Sequence, residues 1–204
     1  MISNFLRLRL PVKDDEFDLI YPNYLRELSE KHFTEVDVAI KASELLTSKP
    51  GRKILDIGSG VGKFCFVAGA YAEASFTGVD YRKQYIELCD ELTIKHNFKN
   101  VNFIHSDIVD IDFKEYDHFY FFNSFEEHAN VVSRMDNSKE TSTQKFLKYS
   151  HFVREQFDNL PVGTGVVTYY AYSNQIPNSY ELESIHFDGT LKYWVKKHKT
   201  YSID

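Results

Sequence analysis

Cysteine is nearly absent: Cys65 and Cys89 are the only two in 204 residues. Two thiols cannot frame a disulfide-stapled fold, and neither has His or Cys neighbours at the spacing of a zinc site. A reducing compartment and no metal are therefore expected. Long apolar runs are missing too. The N-terminal stretch MISNFLRLRLPVKDDEFD carries Arg7 and Arg9 inside its only apolar segment, so it has no uninterrupted signal-peptide core, and no segment approaches a membrane span. A cytoplasmic protein without membrane contact is expected. Nor is there a basic excess: Lys plus Arg number 24 against 30 for Asp plus Glu, a formal charge of −6. Phosphate neutralisation needs a basic face, so no nucleic-acid partner is expected. Internal repeats and low-complexity segments are absent, and nothing in the sequence points to an oligomeric state.

What is present suits one globular domain with a full core. The chain is 43% hydrophobic and 26% charged, and its 17 Phe and 14 Tyr help make 16% of it aromatic. At this length two ordinary domains do not fit. We read an N-terminal extension over residues 1–33, able to serve as a lid, and a single domain over 34–204.

The order of elements is regular. After an irregular acidic stretch, Thr34 to Leu46 places Val36, Ala39, Ile40 and Ser43 on one helical face, with Thr34 and Asp37 in the spacing of a capping box. A strand then runs from Lys53 to Ile57, and a helix starting near Val61 or Gly62 carries Phe64, Val67, Ala68 and Tyr71 at helical spacing. Further strands are predicted at Ser75–Asp80, Asn100–Asp107, Asp117–Asn123 and Gly165–Tyr172. Helices are predicted after the second strand, stopping near Asn97, and from Thr143 to Leu160. The fourth strand is apolar on both faces, as a central parallel strand should be. The rhythm breaks at the end, where Asp188-Gly189 joins two alternating runs, a strong hairpin signal. The basic run KKHK after it reads as a solvated strand end.

The first strand leads into ILDIGSGVGKF, Ile54 to Phe64, which turns through three glycines. A phosphate-binding P-loop does not fit, because Ile57 stands where its first glycine belongs and Phe64 replaces the metal-binding hydroxyl. The dinucleotide pattern G-x-G-x-x-G does not fit either, because Lys63 holds its third glycine position. Gly58, Gly60 and Gly62 are spaced G-x-G-x-G, and Asp56 stands two residues ahead. A carboxylate there disfavours a pyrophosphate and suits a cation.

These residues resemble motif I of the class I S-adenosylmethionine (AdoMet) methyltransferases. The resemblance spans roughly Thr34 to Lys199, with its specific part at Ile54 to Asp107. It implies a seven-stranded Rossmann-like α/β sheet, mostly parallel with a C-terminal antiparallel hairpin, and helices on both faces. It also implies AdoMet as cofactor and S-adenosylhomocysteine as product. In an open α/β sheet the ligand lies beyond the carboxyl ends of the strands, and there the resemblance assigns roles. Asp56, Gly58, Ser59, Gly60 and Gly62, at the end of the first strand, would bind the cofactor, with bare backbone able to approach it closely. Asp80 would accept both ribose hydroxyls, with Tyr81 against the adenine face. Asp107 would accept the adenine amino group, and the N–H of Ile108 would reach the ring. For each acid, helix capping is the plain structural alternative.

At the fourth strand end, Asn123-Ser124-Phe125 partly resembles the N-P-P-Y/F signature of amine-directed methyltransferases. It also partly resembles the Asn-Asn-Phe run of the non-SET histone lysine methyltransferases. Asn123 is the candidate for positioning the acceptor and is also counted among the cofactor-binding residues, against its reading as a strand-end turn residue. Glu126, Glu127 and His128 follow, as base or ammonium-binding groups or as a solvated helix start. Phe33 or Thr34 would line the methionine end, and the tyrosines of YYAY would offer ring faces to a sulfonium or pack in the core. The expected activity is methyl transfer to an N or O acceptor on a small molecule or a protein side chain. A catalytically silent AdoMet-binding module and an NAD(P)-linked oxidoreductase are the alternatives. The acidic strip Lys13 to Asp18 reads as a solvated tail, or less directly as an attractor of cationic acceptors.

Overall fold

The computed structural model describes residues 2–122, 143–171 and 175–197. Helices α1 (Ile2–Arg7), α2 (Asp14–Phe17), α3 (Asn23–Arg26) and α4 (Ser29–His32) form a strap of short turns. The stretch expected to be irregular is thus helical in pieces too short to show periodicity. Helices α5 (Val36–Leu46), α6 (Lys63–Tyr71), α7 (Lys83–His96) and α8 (Thr143–Asn159) are the longer ones. The α7 helix stops at Asn97 in the left-handed conformation, φ 59°, as its sequence signal required.

Five strands run parallel: β1 (Lys53–Ile57), β2 (Ser75–Asp80), β3 (Val101–His105), β4 (His118–Phe122) and β5 (Gly165–Tyr169). Strands β6 (Tyr180–His186) and β7 (Leu191–Lys196) complete a seven-stranded sheet of order β3-β2-β1-β4-β5-β7-β6, with β7 antiparallel to both neighbours. The order reverses between β1 and β4, which opens a crevice at their carboxyl ends. The terminal hairpin is present, but its link is longer than the expected two residues. A turn at Phe187–Gly189 and Thr190 intervene, with Phe187 and Asp188 left-handed, and a bulge lies between Leu182 and Ser184.

Two apolar layers cover the sheet. On one face Ile54, Phe76 and Tyr120 meet α5, α6 and α7, and the strap adds Leu6, Phe17, Tyr21 and Leu25 to the same cluster. On the other face Leu55, Ile57, Phe119 and Phe121 meet Val153 and Phe157 of α8. The buried face of α5 differs from the expected one: Val38 and Ala42 are buried alongside Val36, Ala39 and Ser43, while Ile40 is only partly covered. Thr34 does not cap α5. The cap position falls on Glu35, and the Thr34 hydroxyl lies 2.9 Å from the Tyr120 hydroxyl in the core. Lys196 of the supposed solvated strand end is buried, and its ammonium donates to the carbonyls of Phe157 and Asp158 at the end of α8.

His118 joins β4 to β5, its Nδ1 accepting the Gly165 N–H at 2.8 Å. Burial, with Arg52 adding to it, lowers the imidazole to a pKa of about 4. Because the folded value lies below the unfolded one, the bond contributes fully above about pH 6.5, and that contribution is lost as pH falls toward 4. His118→Gln keeps an acceptor that does not titrate. Its melting temperature is expected to fall less than that of the wild type between pH 7.5 and pH 4.5, as followed by circular dichroism.

Candidate functional site

The loop after β1 exists because three residues adopt left-handed backbone. Gly58, Gly60 and Gly62 have φ of 73°, 55° and 77°, a region that side-chain-bearing residues enter only at a cost. This alternation explains G-x-G-x-G where a dinucleotide loop has a wider last spacing. The N–H groups of Gly58 and Ser59 both donate to Val79 O at 2.9 Å, which folds the loop over the tip of β2. Gly78 makes room for it: a Cβ there would come within 2.7 Å of the Ser59 side chain. At Gly62 a Cβ would meet the Phe103 ring at 2.5 Å, so the turn also packs too closely for alanine.

Asp56 lies under this loop, in register with Gly78 on β2 and Tyr120 on β4. Its carboxyl is buried, and its partner is the Cys65 thiol, which donates to Oδ2 at 3.5 Å. Burial, with the charge of Asp80 adding to it, pushes its pKa up to about 8; the thiol contact opposes the shift. The Ser59 hydroxyl is also buried and has no hydrogen-bond partner among the described residues. A polar oxygen without a donor and a carboxyl without a cation mark one small region above β1.

Asp80 ends β2 and is held firmly. Oδ1 accepts from the backbone N–H and Nε of Arg82 at 2.8 and 2.9 Å. Oδ2 accepts from the Gly60 N–H at 3.0 Å and from Arg82 Nη2 at 3.1 Å. The guanidinium sits over the rings of Tyr81 and Tyr85, 4.9 Å from each centroid. Asp107, after β3, caps the turn Ile108–Asp110 through the Val109 N–H at 3.3 Å, so its capping reading holds. Its second oxygen accepts the Tyr149 hydroxyl of α8 at 2.8 Å. Burial and the Asp107 carboxylate push the Tyr149 phenol up to about 12. Ile108 is buried beside Ile57 and Val79.

The acidic strip is not a solvated tail. Lys63, first residue of α6 and 2% exposed, places its ammonium 2.7 Å from both Asp14 and Asp18 and 3.1 Å from the Ser29 hydroxyl. Asp14 also accepts the Val36 N–H at the start of α5. The lysine that spoils the dinucleotide pattern thus pins the strap beside the glycine loop. At the end of β5, Tyr169 is buried with its ring 4.8 Å from Phe122, and Tyr170 is exposed in a left-handed conformation, φ 50°. Asn123, Ser124, Phe125, Glu126, Glu127, His128 and Tyr172 lie outside the described residues.

Sequence reasoning placed Asp56, Asp80 and Asp107 at neighbouring strand ends, and the structure puts them there. It missed Arg82, Lys63, Tyr149 and Gly78 as partners. Arg82 had a local signal, two residues past the expected ribose acid, and Lys63 had one in the strap acids read as a solvated tail.

A family of methyltransferase domains matches residues 48–149. The chain belongs to this family. Its fold is that of the class I methyltransferases, and solved structures repeat it. TrmN from Thermus thermophilus superposes with a TM-score of 0.59 at 16% identity, over 86% of this chain and 52% of that one. This chain therefore spans about half the length of the Thermus protein. An RNA methyltransferase from Salinibacter ruber, in complex with S-adenosyl-L-homocysteine, gives 0.55 at 16% identity, covering 82% and 93%. A putative caffeoyl-CoA O-methyltransferase from Staphylococcus aureus gives 0.57 at 14% identity, covering 90% and 96%. No curated protein matches the sequence. No helix among the described residues of this methyltransferase domain is long and apolar enough to cross a membrane, and no cluster of metal-ligating side chains appears among them.

Removing one partner of a buried ion pair leaves the other charge uncompensated. Lys63→Met is expected to lower the unfolding free energy by about 3 kcal/mol. Adding Asp18→Leu should return most of it, because both buried charges are then gone. Urea denaturation of the two variants measures the difference.

Proposed function

We infer that this chain is an AdoMet-dependent methyltransferase acting on an N or O acceptor, and that the crevice above β1, β2 and β3 is its cofactor site. The observation that carries the reading is the buried Asp56 carboxyl beneath the glycine turn, which burial raises to a pKa of about 8 and which meets the Cys65 thiol and no cation among the described residues. A positively charged, phosphate-free adenosine ligand supplies that cation. A dinucleotide would bring its pyrophosphate close to a buried acid that gains nothing from it.

In this reading Asp56 and the backbone of Gly58, Ser59, Gly60 and Gly62 take the methionine end. The fit is supported by the orphan Ser59 hydroxyl and by a turn whose glycines carry no Cβ to intervene. Asp80 and Tyr81 take the ribose and one ring face, and Asp107 with Ile108 takes the adenine edge. AdoMet, when bound, supplies an electrophilic methyl group on a sulfonium. The chain's own task is to align an acceptor in line with that methyl and to keep water out, and such positioning is worth ~7–11 kcal/mol. Asn123, beyond the end of β4, is our candidate for holding the acceptor. Phe122, Tyr169 and Tyr170 add ring faces close by, each worth about 0.5–2 kcal/mol to a neighbouring positive charge. Residues 1–33 are assigned the role of a strap over the methionine end, consistent with the Lys63 contacts.

Calorimetry is expected to show binding of AdoMet and S-adenosylhomocysteine, and tight NAD binding in their place would remove the reading. Radiolabelled AdoMet added to a cell extract should leave label on an acceptor. An unlabelled extract would turn the assignment to a catalytically silent binding module. A pH series tests Asp56 itself. The free protein holds a proton there below about pH 8, and a cationic ligand favours the ionised form. AdoMet affinity should therefore rise between pH 5.5 and 7.5 by up to about tenfold per unit, with proton release. Asp56→Asn should flatten that slope, and an equal slope in both proteins would displace Asp56 from the site.

A further inference from the structure

We propose that Arg82 is an internal competitor for the ribose position, an affinity-setting residue that a nucleoside ligand must displace from Asp80. This rests on the reading of Asp80 as the ribose acid. A carboxylate offers about four lone-pair positions. In Asp80 all four are filled: two donors of Arg82 on Oδ1, and Gly60 N–H with Arg82 Nη2 on Oδ2. The carboxylate is also closed to solvent, with side-chain exposures of 1% for Asp80 and 5% for Arg82. Two ribose hydroxyls thus have neither a free acceptor site nor a path to one while the guanidinium stays in place.

Three of the four bonds come from Arg82, but only two come from its guanidinium. Those two are what the ligand must replace. The backbone N–H bonds from Arg82 and Gly60 leave one position on each oxygen, and that is the pattern two vicinal hydroxyls require. The rings of Tyr81 and Tyr85 already flank the guanidinium at 4.9 Å, so it has aromatic surface to rest on after leaving Asp80.

The exchange trades two charge-assisted bonds for two others, so the ribose hydroxyls give less net affinity than they would against an open carboxylate. The trade is equal for AdoMet and S-adenosylhomocysteine, since both carry the same ribose. Arg82 therefore weakens product retention as much as cofactor capture, and leaves discrimination at the sulfur untouched.

The test pairs ligand and protein changes. Calorimetry would follow S-adenosylhomocysteine and its 2′,3′-dideoxy analogue on the wild type and on Arg82→Met, which keeps an unbranched apolar chain without the guanidinium. S-adenosylhomocysteine is expected to tighten about tenfold or more in the variant, while the dideoxy analogue changes by less than about twofold. Equal tightening of both ligands would make Arg82 a steric plug and overturn the proposal. Unchanged or weaker S-adenosylhomocysteine binding in the variant would also overturn it, while a wild-type preference for the hydroxylated ligand would leave Asp80 as the ribose acid. Binding of neither ligand to the wild type removes the cofactor reading, and this inference with it. A wild-type crystal structure with S-adenosylhomocysteine does not depend on the variant folding. It should show the guanidinium off Asp80 and the hydroxyls on it, and a retained fork with ligand bound would refute the exchange.

Discussion

The close approach of the glycine turn to the tip of β2 organises the candidate site of this protein. Two successive N–H groups, of Gly58 and Ser59, converge on the single carbonyl of Val79. That bend is reached only with left-handed backbone at Gly58, Gly60 and Gly62, and only because Gly78 leaves the space that Ser59 fills. Once the loop is down, the Gly60 N–H points at Asp80, and Asp56 is sealed beneath. The geometry of the cleft thus follows from a backbone constraint, and the carboxylates take their properties from it. Asp56, held on β1 between β2 and β4, becomes hard to ionise because burial removes its water.

The strap depends on this arrangement from outside. With its apolar residues in the core cluster, Lys63 could have been left as a surface lysine at a helix start, where a positive charge is unfavourable to the helix dipole. Instead Asp14 and Asp18 come to it, and Asp14 caps α5 through the Val36 N–H with the same oxygen. One carboxylate therefore ties three segments together: the strap, the first turn of α5 and the residue that ends the glycine loop. Burial alone does not account for the acids at those positions, since apolar residues bury more cheaply than ion pairs. Their arrangement fixes the strap's register against the loop.

How much of this was legible depended on the distance over which each signal acts. The strands from β1 to β5 and the α7 stop at Asn97 were readable because alternation, apolar runs and a left-handed cap are local patterns. The G-x-G-x-G spacing was readable for the same reason, and by itself it excludes the phosphate-binding loops. The strap was not readable, because helices of four to six residues show no period. Thr34 looked like a cap since a hydroxyl before a helix usually is one, but its partner Tyr120 lies on a strand far along the chain. The same limit hid the bond from Tyr149 to Asp107. The hairpin was recognised while its link was underestimated, because Phe187 takes a left-handed conformation that its residue type disfavours.

The charges around the glycine turn can be matched one by one, and the remainder is informative. Asp14 and Asp18 share Lys63, and Asp80 has Arg82. Asp107 is met by a phenol and a backbone N–H, and it keeps partial contact with solvent. Among the described residues, Asp56 alone of these acids is buried with nothing stronger than a thiol beside it. A buried carboxyl in that position resolves its cost by holding a proton, which is what the shift to about 8 describes. A protein optimised for stability alone would place an apolar residue there, as it does at Ile54 and Leu55 on the same strand. The acid makes physical sense when a positive charge arrives from outside, and the turn above it leaves bare backbone where that charge would enter.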